Sequence, residues 1–470
     1  MKLTSYGAAE EVTGSCHLIE LGNTKILLDC GLIQGRKKDE LRNHDGFPFN
    51  PAELDAVVLS HAHIDHCGRL PMLIDQGFTG KIHTHVATCD LVQILLKDSA
   101  HLNARDVEYR NKRRRRSGKP LLKPLYDQSD VENTMDRLEA LEYETPREIA
   151  NGVSIRLFDA GHILGSSMVE LTLTDGQNTR TVVFSGDLGH RGSPILRDFS
   201  YLKNADMVLM ESTYGNRLHR DWSETLVEVS EIASALSSVR GNILIPAFSV
   251  GRSQMILYTM ARYFDEWDLG RWNIFLDSPM AIRASEVYLK HTNLYDEEAA
   301  AYYRKNGPLL AMPNLKFSQT ADESRAINQM ASGAIVIAGS GMCTGGRIMH
   351  HLKHNLWRQD AHVIISGYQS PGSLGRKLVD GAKSVKIWGE KIQVRASIHT
   401  VGGLSAHADQ QGMVDWYRNF ENSPPALLVH GERKAMDALS TRLKNECNAT
   451  AIPAKRGKST NLLALDTFGR

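Results

Sequence analysis

His61-Ala62-His63-Ile64-Asp65-His66 puts four metal-ligand side chains within six residues. In an extended segment His61 and His63 project to the same side, and the turn that follows sends Asp65 and His66 the other way. One short loop can therefore feed two metal ions. Imidazole nitrogen and carboxylate oxygen are the donors zinc takes in sites kept open for catalysis, and a carboxylate can bridge two ions. The chain has 19 histidines, and at that frequency pairs such as His83 and His85, or His350 and His351, arise by chance. Four ligand-type residues in six, matched by others at separate strand ends, do not.

The matching residues follow short β-branched runs. Thr24–Leu28 (TKILL) ends in Asp29, Asp55–Leu59 (DAVVL) leads to His61, and Val153–Phe158 (VSIRLF) leads to His162. Thr181–Phe184 (TVVF) leads to Asp187, and Ala426–Val429 (ALLV) ends in His430. Five predicted strands thus deliver metal-capable residues from one end, where rigid strands hold the side chains and loops bring them together. The runs alternate with helical stretches, the signature of α/β layers. Between Glu211 and His407 the texture changes to strand-turn-helix units around Asn242–Gln254, Asn273–Ala281, Ala334–Leu352 and His362–Leu378. His430 must return to a site built by residues 29–187, so this module is expected as an insertion. The expected division is 1–212, 213–392 and 393–470.

A length of 470 residues exceeds one ordinary core, and 42% hydrophobic with 23% charged residues is the composition of a globular chain. The longest apolar runs, such as Ala56–Leu59 and Ile243–Ile245, fall far short of the roughly 20 residues that cross a bilayer, so no membrane span is expected. The start lacks the pattern of a signal peptide and the end lacks a prenylation motif, which makes a cytoplasmic location the expectation. Six scattered cysteines with no Cys-x-x-Cys pair argue against a disulfide framework or a cysteine-type zinc site. The 55 basic and 54 acidic side chains nearly cancel, so a polyanion would have to be held by a local patch.

Taken together, these motifs resemble the metallo-β-lactamase superfamily, whose hallmark is H-x-H-x-D-H with a later His, an Asp and a last His. Asp29 in Leu28-Asp29-Cys30-Gly31 is similar to its first motif, His162 in Gly161-His162-Ile163-Leu164-Gly165 to its third, and Asp187 in Ser185-Gly186-Asp187 to its fourth. Glu211 in Glu211-Ser212-Thr213-Tyr214-Gly215, His407 in Ser405-Ala406-His407-Ala408-Asp409 and His430 in Val429-His430-Gly431-Glu432 resemble motifs A, B and C of its β-CASP branch, which processes nucleic acids. Ile245-Pro246-Ala247-Phe248, Asp277-Ser278-Pro279-Met280 and Gly339-Ser340-Gly341-Met342 also look like blocks of that branch. The resemblance implies a metallo-β-lactamase αββα sandwich carrying an inserted parallel α/β β-CASP domain. It implies a zinc-dependent ribonuclease acting on single-stranded RNA, as an endonuclease, a 5′-to-3′ exonuclease or both.

Carried over residue by residue, the resemblance places two Zn2+. One would be held by His61, His63 and His162, the other by Asp65, His66 and His430, with Asp187 shared and a hydroxide between them. Asp29 would orient a ligand imidazole. His407 with Glu211 looks like the pair that protonates the leaving ribose oxygen, since a carboxylate beside an imidazole favours the charged imidazolium. Ser405, two residues before His407, is a phosphate-binding candidate or a local turn former. Cys67, directly after His66, reads as packing.

From Arg105 to Lys123 there are nine basic and two acidic residues, including Arg113, Arg114, Arg115 and Arg116, and Gly118-Lys119-Pro120 suggests a loop. The run reads either as a solvated loop or as a mobile basic arm that captures the RNA backbone. Three other functions stay in view. One is a DNA nuclease of the same branch, in which motif C resembles Val where this chain has His430. Another is a superfamily hydrolase acting on a β-lactam, thioester or lactone. The third is a non-catalytic RNA-binding scaffold. The sequence is equally consistent with a monomer and a homo-oligomer.

Overall fold

A computed structural model describes residues 1–236, 241–370 and 372–469. The chain divides into two compact units: Met1–Arg191, Asp198–Leu218 and His407–Arg470 in the first, Gly192–Arg197 and His219–Ala406 in the second. The second unit therefore runs past the expected boundary at 392. Strand Ser397–Thr400 pairs in parallel with His362–Ile365 and so completes the second unit's sheet.

The first unit is built on two seven-stranded sheets. In one, Lys2–Gly7, Cys16–Leu21, Thr24–Leu28, Ala56–Val58, Lys81–His85 and Leu138–Leu141 lie side by side, with Ser459–Asn461 at the outer edge of the first strand. In the other the order is Ala451–Pro453, Ala426–Val429, Met207–Glu211, Asn178–Phe184, Ser167–Asp175, Val153–Asp159 and Arg147–Ala150. Alternate side chains from the two sheets meet in one core, including Ile19, Ile26, Leu28 and Val58 with Leu157, Val169, Leu171, Phe184 and Val429. The opposite face of the second sheet packs Val183, Val208 and Leu428 against Met413, Trp416, Met436 and Leu439 of helices Gln410–Tyr417 and Arg433–Cys447. Helix Val86–Arg116 contacts strands Lys81–His85 and Leu138–Leu141 of the first sheet. Helices thus cover both sheets, giving the αββα sandwich.

The second unit has a six-stranded parallel sheet in the order Leu315–Phe317, Asn273–Leu276, Ala334–Ala338, Ile243–Pro246, His362–Ile365, Ser397–Thr400. Its central strands are buried apolar runs such as Ala334–Ala338 (AIVIA), as a sheet covered on both faces requires. Among the described residues no helix is long and apolar enough to cross a membrane.

The basic run differs from its expectation. Residues 105–116 are the last turns of the 31-residue helix Val86–Arg116, and only the segment after Arg116 is a loop. Arginine and lysine are good helix formers. The pairs Asp106–Arg110 (2.8 Å) and Glu108–Lys112 (3.1 Å) add i,i+4 support, and the four terminal arginines suit the negative end of the helix dipole. Gly118, at φ 63°, follows the Ser117 cap and turns the chain back.

Candidate metal centre

Five strand ends of the first unit converge on one polar pocket. Asp29 follows Thr24–Leu28, and the histidine loop follows Ala56–Val58. His162 follows Val153–Asp159, Asp187 follows Asn178–Phe184, and His430 follows Ala426–Val429. His63 caps the short helix Ile64–Cys67, and this turn separates the two halves of the histidine motif.

The first half meets His162. His63 Nδ1 stands 3.0 Å from His61 Nε2 and 3.1 Å from His162 Nε2. The second half meets His430, whose Nε2 is 3.2 Å from His66 Nε2 and 3.5 Å from Asp65 Oδ2. Asp187 lies between the groups. Its Oδ2 is 3.6 Å from His61, 3.7 Å from His162 and 3.4 Å from His66, while Oδ1 is 3.5 Å from His430 Nδ1. Donor atoms of His61, His63, His162 and Asp187 all lie within 4.8 Å of one another, and so do those of Asp65, His66 and His430.

Three observations fit these residues to cations. Donors bound about 2.1 Å from one tetrahedral ion stand about 3.4 Å apart, close to the separations found here. Oδ1 of Asp187 is buried and accepts no hydrogen bond among the described residues. No lysine or arginine pairs with the buried Asp187 or with Asp65 among the described residues, so their charge calls for protons or metal. The titration pattern is that of such a pocket. Burial pushes the His63 imidazole down to about 4 and His61 well below its usual range, leaving both neutral and able to ligate. Burial opposes ionisation of Asp187, but His430, His66 and His407 around it hold its carboxyl well below the usual range.

A second layer of hydrogen bonds fixes the donors. Asp29, fully buried and at φ 58°, accepts from His66 Nδ1 (2.7 Å), the Ser60 amide (2.8 Å) and the Ser15 hydroxyl (2.8 Å). His66 therefore carries its proton on Nδ1 and turns Nε2 to the pocket. His430, at φ 50°, has Thr213 Oγ1 3.0 Å from its Nδ1. Ser60 Oγ is 3.1 Å from His61 Nδ1. No motif in the sequence marks Ser60, Ser15 or Thr213 for this role. Ser60 directly precedes His61 and Thr213 lies inside the Glu211 motif, but serine and threonine are too common for position alone to mark them.

His407 sits at the edge of this pocket, its side chain 21% exposed against 0% for Glu211. A β-bridge between Gly189 and His407, and the bond from the Ala408 amide to the Leu188 carbonyl (2.7 Å), hold it beside Asp187. Nδ1 of His407 faces Glu211 Oε1 at 3.4 Å, and the same oxygen accepts from the Leu188 amide at 2.6 Å. Burial works against a charge on this ring, but the Glu211 and Asp187 carboxylates outweigh it and push its pKa up to about 9. Cys67 is buried, with its thiol on the Ala62 carbonyl (3.1 Å), and all six cysteines are unpaired. Ser405 is half-buried and belongs to the second unit. Arg113, Arg115 and Arg116 are exposed, whereas Arg114 is partly covered and donates to the Pro120 carbonyl.

Sandwich and pocket together define a metallo-hydrolase whose candidate metal donors sit at the ends of strands. Residues 9–231 match the metallo-beta-lactamase superfamily, 253–378 the Beta-Casp domain, and 391–453 the Zn-dependent metallo-hydrolase RNA specificity domain. Ribonuclease TTHA0252 of Thermus thermophilus is 39% identical over 443 residues, covering 94% of this chain and 96% of the relative. An RNase J-like protein of Methanocaldococcus jannaschii is 28% identical, covering 92% of each chain. Transcription termination factor FttA of the same organism is 26% identical over 96% of this chain and 70% of its own. A crystal structure of a protein of unknown function from Enterococcus faecalis V583 shares the fold, with a TM-score of 0.54, 12% identity, and coverage of 98% of this chain and 99% of that one. The chain belongs to the β-CASP branch of the metallo-β-lactamase superfamily.

Proposed function

We propose that this chain is a zinc-dependent ribonuclease that hydrolyses phosphodiester bonds of single-stranded RNA at a centre holding two zinc ions. The observation that carries the reading is the meeting of His61, His63 and His162 with Asp65, His66 and His430 around the buried Asp187. RNA is the favoured polymer because residues 391–453 match an RNA specificity domain and ribonucleases stand among the relatives.

In this reading His61, His63 and His162 would hold one ion and Asp65, His66 and His430 the other, with Asp187 available to both. Bound zinc lowers the pKa of water toward neutrality and offsets charge building on a phosphoryl group. The chain's own residues do the rest. Asp29 keeps His66 Nε2 directed inward, and Thr213 does the same for His430. The Glu211 carboxylate accepts from the protonated Nδ1 of His407, which leaves the proton on Nε2 as the one that can move. That proton goes to the leaving ribose oxygen, making His407 the general acid and Glu211 the group that keeps it charged. Ser405, Arg113, Arg115 and Arg116 are assigned to phosphate contacts, whereas Arg114 is turned to the Pro120 carbonyl.

The test is metal analysis of the purified protein together with product mapping on single-stranded RNA labelled separately at the 5′ and 3′ ends. About two zinc ions and RNA cleavage are expected, and mononucleotide release would separate exonucleolytic from internal cutting. One ion per chain, or no cleavage by zinc-loaded protein, would overturn the reading.

A further inference from the structure

We infer that the outer face of the helical arm, Leu102, Arg105, Tyr109, Arg113 and Arg116, is a rigid binding surface for single-stranded RNA. This deepens the ribonuclease reading and rests on it for the identity of the polymer. These residues follow one another at i, i+3, i+7, i+11 and i+14, which places them along one side of helix Val86–Arg116. All five are exposed, Leu102 at 56% and Tyr109 at 77%.

The opposite side is occupied by the returning chain. Asn111 donates to the Leu122 carbonyl and accepts its amide, both at 2.9 Å. Asn103 accepts the Leu125 amide at 2.9 Å, and Ser99 meets the Tyr126 hydroxyl at 2.7 Å. Val107 is buried on that side, and the Arg114 guanidinium is turned to the Pro120 carbonyl. The strap runs along that side of the arm and leaves its outer side exposed.

Charge and aromatic content select the occupant. The two carboxylates of the run are taken by Arg110 and Lys112. Arg105, Arg113, Arg115 and Arg116 have no carboxylate partner among the described residues, in a chain whose 55 basic and 54 acidic side chains nearly cancel overall. Unpaired guanidinium groups on both sides of an exposed tyrosine match a polymer that alternates phosphates with flat bases. Arg105 to Arg116 span about 16 Å at the helical rise, enough for several nucleotides. A helix presents these groups already ordered, so binding freezes less motion than a flexible arm would lose.

The test compares full-length variants in the His407→Ala background, which slows cutting during the measurement, by titrating a labelled single-stranded RNA at several salt concentrations. Replacing Arg105, Arg113 and Arg116 together by Gln should lower the salt slope by about 2, at about 0.7 per phosphate contact, and weaken binding about 100-fold near 0.1 M salt. Arg114→Gln removes the same charge from the strap side and should change affinity less than about twofold, whereas Arg113→Gln alone lowers the slope. Tyr109→Ala should weaken binding about five- to 100-fold with the slope unchanged, and Tyr109→Trp should restore it. An unchanged slope in the triple variant, equal effects of Arg113→Gln and Arg114→Gln, or full affinity in Tyr109→Ala would each overturn the proposal. So would a dimer that Tyr109→Ala dissociates while RNA affinity stays whole, which would give the face to a second copy. Cleavage by the unsubstituted protein is scored separately: cleavage without these effects overturns the arm alone, and these effects without cleavage overturn the ribonuclease reading alone.

Discussion

His66 donates from Nδ1 to Asp29 Oδ2 at 2.7 Å while its Nε2 stands 3.4 Å from Asp187 Oδ2, so one imidazole links the floor of the first sheet to the candidate bridging carboxylate. The ring can turn only if Asp29 lets go. Asp29→Ala should therefore lower zinc affinity by about 10- to 100-fold, the usual effect of losing an outer partner of a metal ligand. Competition with a chromophoric chelator measures it. Unchanged affinity would make Asp29 a structural turn residue.

Asp187 touches both donor groups. Asp187→Ala should deplete both metal sites, whereas His162→Ala should empty mainly the one it shares with His61 and His63. Elemental analysis after gel filtration counts the ions. Equal, complete occupancy in the Asp187 variant would remove its bridging role.

His407 stands outside both three-histidine and Asp65-containing groups, so His407→Ala should keep its zinc and slow cleavage by about 10²- to 10⁴-fold. An RNA analogue with sulfur as the leaving atom needs no proton and should restore most of the rate. The pH profile carries the sign. An acid acts only while protonated, and the Glu211 carboxylate is the leading influence raising the His407 pKa to about 9 against burial. Glu211→Gln should therefore move the alkaline limb of kcat to lower pH. A limb that stays in place assigns the proton elsewhere.

In the second unit Asp277 is fully buried and accepts from His351 Nε2 (2.6 Å), Ser324 Oγ (2.6 Å) and Arg347 Nη1 (2.7 Å). Burial would raise its carboxyl pKa, but the His351 and Ser324 bonds outweigh it and hold the group below its ordinary value. A depressed carboxylate stabilises the fold above its unfolded pKa, about 4, and that stability is lost as pH falls through the lower folded value. Asp277→Ala should cost about 3–5 kcal/mol at neutral pH by stranding Arg347 and His351, discounted because Arg347 is 21% exposed. The Tm gap between the two proteins should narrow only below about pH 4. A gap that persists at acid pH would point to lost packing instead.

The strand ends that carry Asp29, His61, His162, Asp187 and His430 are legible in the sequence because each apolar β-branched run is followed, within four residues, by a residue that can bind metal. The arm is not. The first half of helix Val86–Arg116 buries Leu91, Val92, Leu95 and Leu96, but beyond Ala100 only Val107 is buried, so no apolar stripe announces that the helix continues. Strand Ser397–Thr400 was hidden for a related reason. Its four residues, SIHT, are mixed in polarity and none is buried, as befits the sheet's edge. Ser60 and Thr213 lie where only tertiary contact reveals them.

The division of the chain also sets an order of assembly on the ribosome. His61, His63, His162 and Asp187 have all emerged before residue 191, but His430 arrives 243 residues after Asp187 (430 − 187), roughly 12–50 s later at about 5–20 residues per second. Strands Ala426–Val429, Ala451–Pro453 and Ser459–Asn461 arrive with or after it. Meanwhile all six strands of the second unit's parallel sheet are contiguous in synthesis and can close first. The nascent protein therefore passes through a stage with one candidate donor group complete, the other lacking its last imidazole, and one edge of each sheet still waiting for its partner. It is then most exposed to capturing the wrong metal or pairing with a neighbouring chain.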